Sequence, residues 1–324
     1  VERRSFLLSS LGLAAAGALP PAAFAESTKI TIGFQESVAA ALPYFIGVEK
    51  GFFKNAGIDV TLVKYSDQIK VVEHLVSGRI DGISCGVGTA TEMNGELASP
   101  GLFKILVSNV SSETSILDEL LVAKDSPIKH IADLKGKKVA CQPGAQAINE
   151  FREILEKNGL GDTNIIQLRP SEHIAALGDG RADAAYTYEP NGTAGRLDGK
   201  VDVLEVGLRS KYILGSGTAP WFGGSGVLST DWIAANPSST KKLLAGIRKS
   251  VEFIRGDYAS ARDTLITYTG ISKRIADAVP PVSYLLASEF KASDIGYFQK
   301  ALDFYYDKKM LSQRVNVSGM LFRG

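Results

Sequence analysis

The sequence predicts an α/β protein of two lobes, each a mostly parallel sheet flanked by helices, and three observations carry that reading. First, Leu75-Val76-Ser77-Gly78-Arg79-Ile80-Asp81 and Leu177-Gly178-Asp179-Gly180-Arg181-Ala182-Asp183 share the pattern L-x-x-G-R-x-D, 102 residues apart, and both run into small-residue strands. Second, an upstream strand in each half, from Lys29 and from Lys137, ends in Gln35 and Gln142, 107 residues apart. Third, each half places a helical stretch ending in glycine between these anchors, followed by another apolar strand. In the first half these are 45–57 and 58–63, and in the second 148–159 and 164–168. Each half therefore reads β-α-β-α-β, which right-handed crossovers fold into a parallel sheet covered on both faces.

In chain order, residues 1–25 come first. Arg3 and Arg4 precede an apolar Leu/Ala/Gly stretch, and Ala23-Phe24-Ala25 offers a small-residue cleavage site. That is the layout of a cleavable secretory signal, and Arg-Arg followed by Ser5-Phe6-Leu7 is twin-arginine-like. Gly12, Gly17 and Pro20-Pro21 break the stretch too often for a membrane span. Lobe one is expected over 27–115 together with 226–324, and lobe two over 116–225. The strand-like runs 120–124 and 226–230 are the natural crossings between them. Gly57 and Gly159 fit helix ends, where a left-handed backbone favours glycine. After Asn236-Pro237 the pattern turns helical (238–256, 258–270, 273–279, 293–310), completing lobe one and bracing the hinge side.

Without its leader the chain has basic and acidic residues in balance, which argues against a nucleic-acid partner or an anionic membrane surface. Roughly 300 residues suit two domains. Cys85 and Cys141 fall in strand-like runs of different lobes, so two buried thiols are expected rather than a disulfide, although an oxidising compartment permits one.

At this point a family likeness is visible. Tyr44 through Phe53, Gly57-Ile58-Asp59-Val60, Gly78-Arg79-Ile80-Asp81, the run Asp133 to Ala140, Gln142-Pro143-Gly144, the run Ala184 to Pro190, and Lys308-Lys309-Met310-Leu311 resemble the nitrate/sulfonate/taurine-type periplasmic binding proteins. The resemblance spans nearly the whole chain after the leader. It implies a type II periplasmic binding fold, no cofactor, and a monomer that hands solute to the permease and ATPase subunits of an ABC importer. Similar proteins take sulfonates, taurine, nitrate, aromatic acids or thiamine-precursor pyrimidines. Relatives for alkanesulfonates often carry a lysine and a Ser/Thr-rich run where this chain has Pro143 and Ala145-Gln146-Ala147.

Ligands of open α/β sheets bind beyond the carboxyl ends of the strands. Lobe one then offers Gln35 and Glu36, Ser66 and Asp67, and Gly88 and Thr89. Lobe two offers Gln142, Gly144, Ala145 and Gln146, then Arg169, then Tyr188 and Glu189. The turn 144–146 opens a helix whose free N–H groups suit an anionic head. Arg169 is the one arginine on these expected rim loops and fits a carboxylate or sulfonate. If Glu36, Asp67 or Glu189 faces the cleft, the ligand also carries an amine or another donor. Tyr44, Tyr188 and Trp221 are candidates to pack an apolar body. The expected ligand is a small organic anion, the alternative a heteroaromatic vitamin precursor or aromatic acid. A sensory role on the same fold is a third reading.

Catalysis has little support in the sequence. His74, His130 and His173 have no metal-ligand spacing. Gly223-Gly224-Ser225-Gly226-Val227 lacks the final glycine of a nucleophile elbow, and buried strand cysteines are inert.

Overall fold

The computed structural model describes residues 27–35 and 39–324. The leader expected over 1–25 and the rim carboxylate Glu36 lie outside the described residues. Among the described residues eleven strands form two sheets. The first contains β1 (Thr28–Gln35), β2 (Ile58–Tyr65), β3 (Gly82–Ile83), β4 (Phe103–Val110), β10 (Ser225–Ser229) and β11 (Ser283–Leu286) in the order β11-β4-β10-β3-β1-β2. The second contains β5 (Asp118–Ala123), β6 (Lys138–Cys141), β7 (Asn164–Gln167), β8 (Ala184–Tyr188) and β9 (Val201–Val206) in the order β7-β6-β8-β5-β9.

The two-lobed fold with mostly parallel sheets is the expected one: β1–β4 share one direction in the first sheet and β6–β9 in the second, while β5, β10 and β11 run against them. β1 pairs in parallel with β2 and β3, and β6 with β7 and β8. β10 is antiparallel between β3 and β4, β11 is antiparallel to β4, and β5 is antiparallel between β8 and β9. The reason is geometric. β5 and β10 follow the two passages between lobes, enter their sheets at the cleft end, and so run against their neighbours.

The repeated motif has a shared structural task. Asp81 Oδ2 accepts the Thr31 N–H at 2.8 Å while the Asp81 N–H donates to the Thr31 carbonyl at 2.8 Å. Asp183 does the same with Lys138, again at 2.8 Å in both directions. Each aspartate thus clasps the neighbouring parallel strand, at mid-strand in β1 and at the start of β6. Gly78 and Gly180, three residues earlier, turn the chain at φ 68° and 75°, a region that favours glycine. Gly57 and Gly159 end their helices with φ 79° and 69°.

Two passages join the lobes, 111–117 and 207–224, and they pair with each other through Ser111 and Trp221, with both N–H···O distances 2.9 Å. Phe222 stacks on Phe290 and Phe298 at 4.9 and 4.8 Å, seating the helix Ala292–Asp307 against the second passage. Lys308 beyond that helix reaches Glu153 at 2.6 Å and Glu156 at 3.1 Å on the lobe-two helix Ala145–Lys157. Phe322 then donates its N–H to Ile105 in β4. The tail therefore does more than complete one lobe: it ties the second sheet's helices to the first sheet.

Candidate functional site

The carboxyl ends of β1–β3 face those of β6–β9 across a cleft of about 1300 Å³. Of the residues expected there, Gln35, Ser66, Gly88, Gln142, Gly144, Ala145, Gln146, Arg169, Tyr188 and Glu189 line it. Gly88 and Gln146 bring the two lobes close: a Cβ at Gly88 would lie 2.6 Å from Gln146 Oε1. The Gly88 N–H is held by Gln68 Oε1 at 3.0 Å.

Four expected residues do other work. Tyr44 is fully buried under the first sheet, its hydroxyl 2.5 Å from where a Cβ on Gly226 would stand. Asp67 Oδ1 accepts the Ile69 N–H at 2.8 Å and caps the helix Gln68–Val76. Thr89 gives its hydroxyl to the Phe222 carbonyl at 2.8 Å. Trp221 is completely buried behind the cleft floor. Arg169 lines the cleft but extends into solvent, with 78% of its side chain exposed, and its Nε binds Glu172 at 3.1 Å. Another arginine lining the cleft is buried instead.

That residue is Arg209, 5% exposed and in the cleft floor. Nη2 donates to Asp118 Oδ1 at 3.2 Å and to Ser111 Oγ at 3.3 Å, and Nη1 lies 3.7 Å from Glu150. The guanidinium carbon is 5.1 Å from the Tyr188 ring and 5.4 Å from the Trp221 ring, so two aromatic faces hold it. Its Nε has no partner among the described residues. Beside it, Glu150 accepts from Tyr305 at 2.6 Å and from Gln146 Nε2 at 2.8 Å. Burial pushes the Glu150 carboxyl above its ordinary range, with Arg209 opposing. Asn109 completes the floor, donating to the Cys85 carbonyl at 2.5 Å and accepting the Gly223 N–H at 3.2 Å.

Sequence reasoning passed over Arg209 because it treated only three strands of lobe two as reaching the rim. Val201–Val206 is an apolar run interrupted by Asp202 and Glu205 and forms β9, whose carboxyl end also faces the cleft. Reading it as a strand places Gly207-Leu208-Arg209 on the rim. Asn109, near the end of β4, was missed for the same reason.

Glu189 lines the cleft, yet its carboxylate is occupied below it. It accepts from the Thr193 N–H at 3.1 Å, from Thr193 Oγ1 at 2.9 Å, and from Arg196. Glu119 in β5 shares that arginine, and its Oε1 has no donor among the described residues. Burial, then the charge of Glu189 and the hydrogen bond with it, pushes Glu119 up to about 8, which favours its protonated form. Neither carboxylate is free to greet a ligand amine.

Both thiols are buried. Burial, reinforced by nearby Glu92, pushes Cys85 well above the ordinary thiol value. Burial, with Glu150 next, pushes Cys141 up to about 12. Neither is a thiolate nucleophile. Among the described residues no group of three or more His, Cys, Asp or Glu side chains is arranged to hold a metal ion.

Comparison with known proteins gives three relevant likenesses besides a family model. The model described as NMT1/THI5 like matches residues 39–259. A Bacillus subtilis protein named "Putative aliphatic sulfonates-binding protein" is 23% identical over 303 residues, 90% of this chain and 85% of that one. The periplasmic aliphatic sulphonate binding protein SsuA of Escherichia coli superposes with a TM-score of 0.72 at 22% identity, covering 91% of this chain and 92% of that one. The alkanesulfonate-binding protein SsuA of Xanthomonas axonopodis pv. citri, bound to MOPS, gives a TM-score of 0.69 at 24% identity, covering 93% and 100%.

Proposed function

We propose that this chain, which belongs to the NMT1/THI5-like family, captures a small organic anion between its two lobes and delivers it to an ABC importer. The observation that carries this reading is Arg209, a buried guanidinium at the floor of an inter-lobe cleft. Its Nη2 is held by Asp118 and Ser111, whereas Nε has no partner among the described residues. Asp118 is its hydrogen-bonded counter-ion, while burial favours the neutral form of Glu150. Arg169, Lys308 and Lys309 line the same cleft. The N–H groups at the start of the helix Ala145–Lys157 add further donors for an anion. Sulfonates are the first choice, in keeping with the names of the similar proteins, and carboxylates the second.

The lobes in this reading are 27–115 with 226–324, and 116–225, hinged at the paired passages. Ligand bridging both rims favours the closed form, which the permease reads. The protein works as a periplasmic monomer after loss of a leader cut behind Ala25. No helix among the described residues is long and apolar enough to cross a membrane. The heteroaromatic alternative needs several rings at the ligand, and of Tyr44, Tyr188 and Trp221 only Tyr188 lines the cleft. The two sealed thiols favour binding over covalent catalysis.

A thermal-shift panel of sulfonates, taurine, nitrate, aromatic carboxylates and thiamine-precursor pyrimidines tests the reading. A ligand at about a hundredfold its Kd adds about 2.7 kcal/mol and raises the melting temperature by several degrees. Saturable shifts with organic anions are expected. Shifts with neutral pyrimidines alone would replace the anion by the alternative.

A further inference from the structure

The floor of the cleft holds more acid than base. Arg209 stands between two buried carboxylates, Asp118 and Glu150. Both oxygens of Asp118 accept from it, Oδ1 from Nη2 and Oδ2 from the backbone N–H, each at 3.2 Å. Glu150 lies on the other side, with Oε2 3.7 Å from Nη1. Gly223 lines the cleft, and a Cβ there would stand 3.6 Å from Nη1, so that nitrogen lies at the cleft surface. An anion docked on Nη1 therefore comes close to Oε2. With both carboxylates ionised, one guanidinium would then face three negative charges in surroundings largely removed from water. Like charges so placed are relieved when one of them takes up a proton.

The hydrogen bonds indicate which oxygen takes it. A proton on Asp118 would displace a contact that anchors the guanidinium. Glu150 Oε1 is already engaged, accepting from Tyr305 at 2.6 Å and from Gln146 Nε2 at 2.8 Å. Oε2 has looser contacts, with the Tyr188 hydroxyl at 3.4 Å and Arg209 Nη1 at 3.7 Å. A proton on Oε2 can be donated to the Tyr188 oxygen, which leaves Nη1 to the ligand.

We propose that the cleft takes its anion together with one proton from solvent, and that Glu150 Oε2 holds that proton. The inference rests on the reading of the cleft as an anion site and adds a second, co-bound ligand to it. The other titratable groups around Glu150 do not compete for the proton. Burial holds the Tyr305, Tyr188 and Tyr186 hydroxyls well above the ordinary tyrosine value and pushes the Cys141 thiol up to about 12. Glu153, one turn along the same helix, is paired with Lys308 at 2.6 Å. Burial raises Glu150 itself while Arg209, Tyr305 and Gln146 oppose, so it titrates nearer neutrality than an exposed glutamate.

The test is calorimetric titration of the whole protein between about pH 6 and about pH 9 with ethanesulfonate, benzenesulfonate, nitrate and benzoate, which stay monoanionic there. Wild-type affinity should fall as pH rises, approaching about tenfold per pH unit at the alkaline end. Parallel titrations in phosphate and in Tris, whose ionisation heats differ, should count up to about one proton taken up per anion. Glu150→Gln should flatten the pH dependence and bind at least about tenfold more tightly than wild type at the alkaline end. Glu119→Gln should keep the wild-type slope. Saturable binding with no pH dependence and no proton uptake would overturn the inference and leave the anion reading standing. A slope that survives in Glu150→Gln, or vanishes in Glu119→Gln, would overturn it by placing the proton elsewhere. Should Glu150→Gln fail to fold, the wild-type proton count and the Glu119→Gln slope still decide. Absence of binding by all four anions at every pH would overturn the inference and the anion reading together.

Discussion

Asp81 and Asp183 perform the same task in the two lobes, each clasping a neighbouring strand through one side-chain and one backbone hydrogen bond, all at 2.8 Å. The rims above them differ. The strand-end loops of lobe one present Gln35, Ser66, Gly86 and Gly88, small or neutral, and its charges, Glu73, Lys308 and Lys309, come from a helix and the tail, while lobe two and the passage leaving it supply Arg169, Glu189 and Arg209 at the strand ends. The repeat thus preserves what holds a sheet together, and the chemistry is confined to the positions that the repeat leaves free. Buried charge marks the second lobe: Asp118, Glu119, Glu150, Glu189 and Arg209 are all buried. In the first, buried Glu92 accepts the Ser225 N–H at 3.2 Å, and burial raises it towards its neutral form.

The sharpest way to break this contrast is to remove Arg209. Arg209→Ala leaves Asp118 buried without its cation and should cost about 3–5 kcal/mol of stability, read as the urea midpoint. The milder Arg209→Gln should weaken anion binding by about 1.5–3 kcal/mol, read by calorimetry, with lobe one unaltered. If Arg209→Gln binds as well as wild type, the charge of lobe two is structural and the site lies elsewhere.

The paired aspartates come next. Asp81→Ala removes an acceptor that is half-buried and should cost about 1–3 kcal/mol. Asp183 is exposed, so Asp183→Ala should cost less, and neither should change ligand affinity more than twofold. Equal effects in the two lobes would mean that burial does not set the value of the clasp.

A pH series isolates Glu119. Its ordinary value is 4.5 and the fold raises it to about 8, so folding favours its protonated form. That contribution is full below about 4.5 and is lost as pH rises towards 8. The melting temperature of wild type should therefore fall by a few degrees across that window relative to Glu119→Gln, which has no proton to lose there. Parallel curves would show that Glu119 takes up no proton on folding.

The smallest effect belongs to Arg169→Ala. An exposed arginine tied to Glu172 by a surface pair contributes about 0–1 kcal/mol, so affinity should change less than about fivefold.

The scaffold was legible because it depends on local chemistry that repeats. Glycine is needed where φ is positive, at Gly78 and Gly180, and an aspartate three residues later is needed to close each clasp. The lining of the cleft was legible where it followed from the carboxyl-end rule, as for Gln142 and Gly144–Gln146. It was illegible where residue type misled. Tyr44 and Trp221 resembled ligand-packing rings, but a large apolar side chain near a rim is as easily drawn under the sheet. Asp67 and Thr89 stood on rim loops, yet each satisfies local or cross-lobe backbone groups first. The reversed direction of β5 and β10 also escaped the pattern, since strand direction depends on which lobe the chain arrives from.

The central claim is that ligand is held by both rims at once, and hydrogen–deuterium exchange with and without the best anion of the panel tests it most directly. The account predicts that ligand slows exchange together in the lobe-one segment 86–91 and the lobe-two segment 144–148, with 207–210 also protected. Protection confined to one lobe, or appearing away from the cleft while binding is saturable, would contradict it.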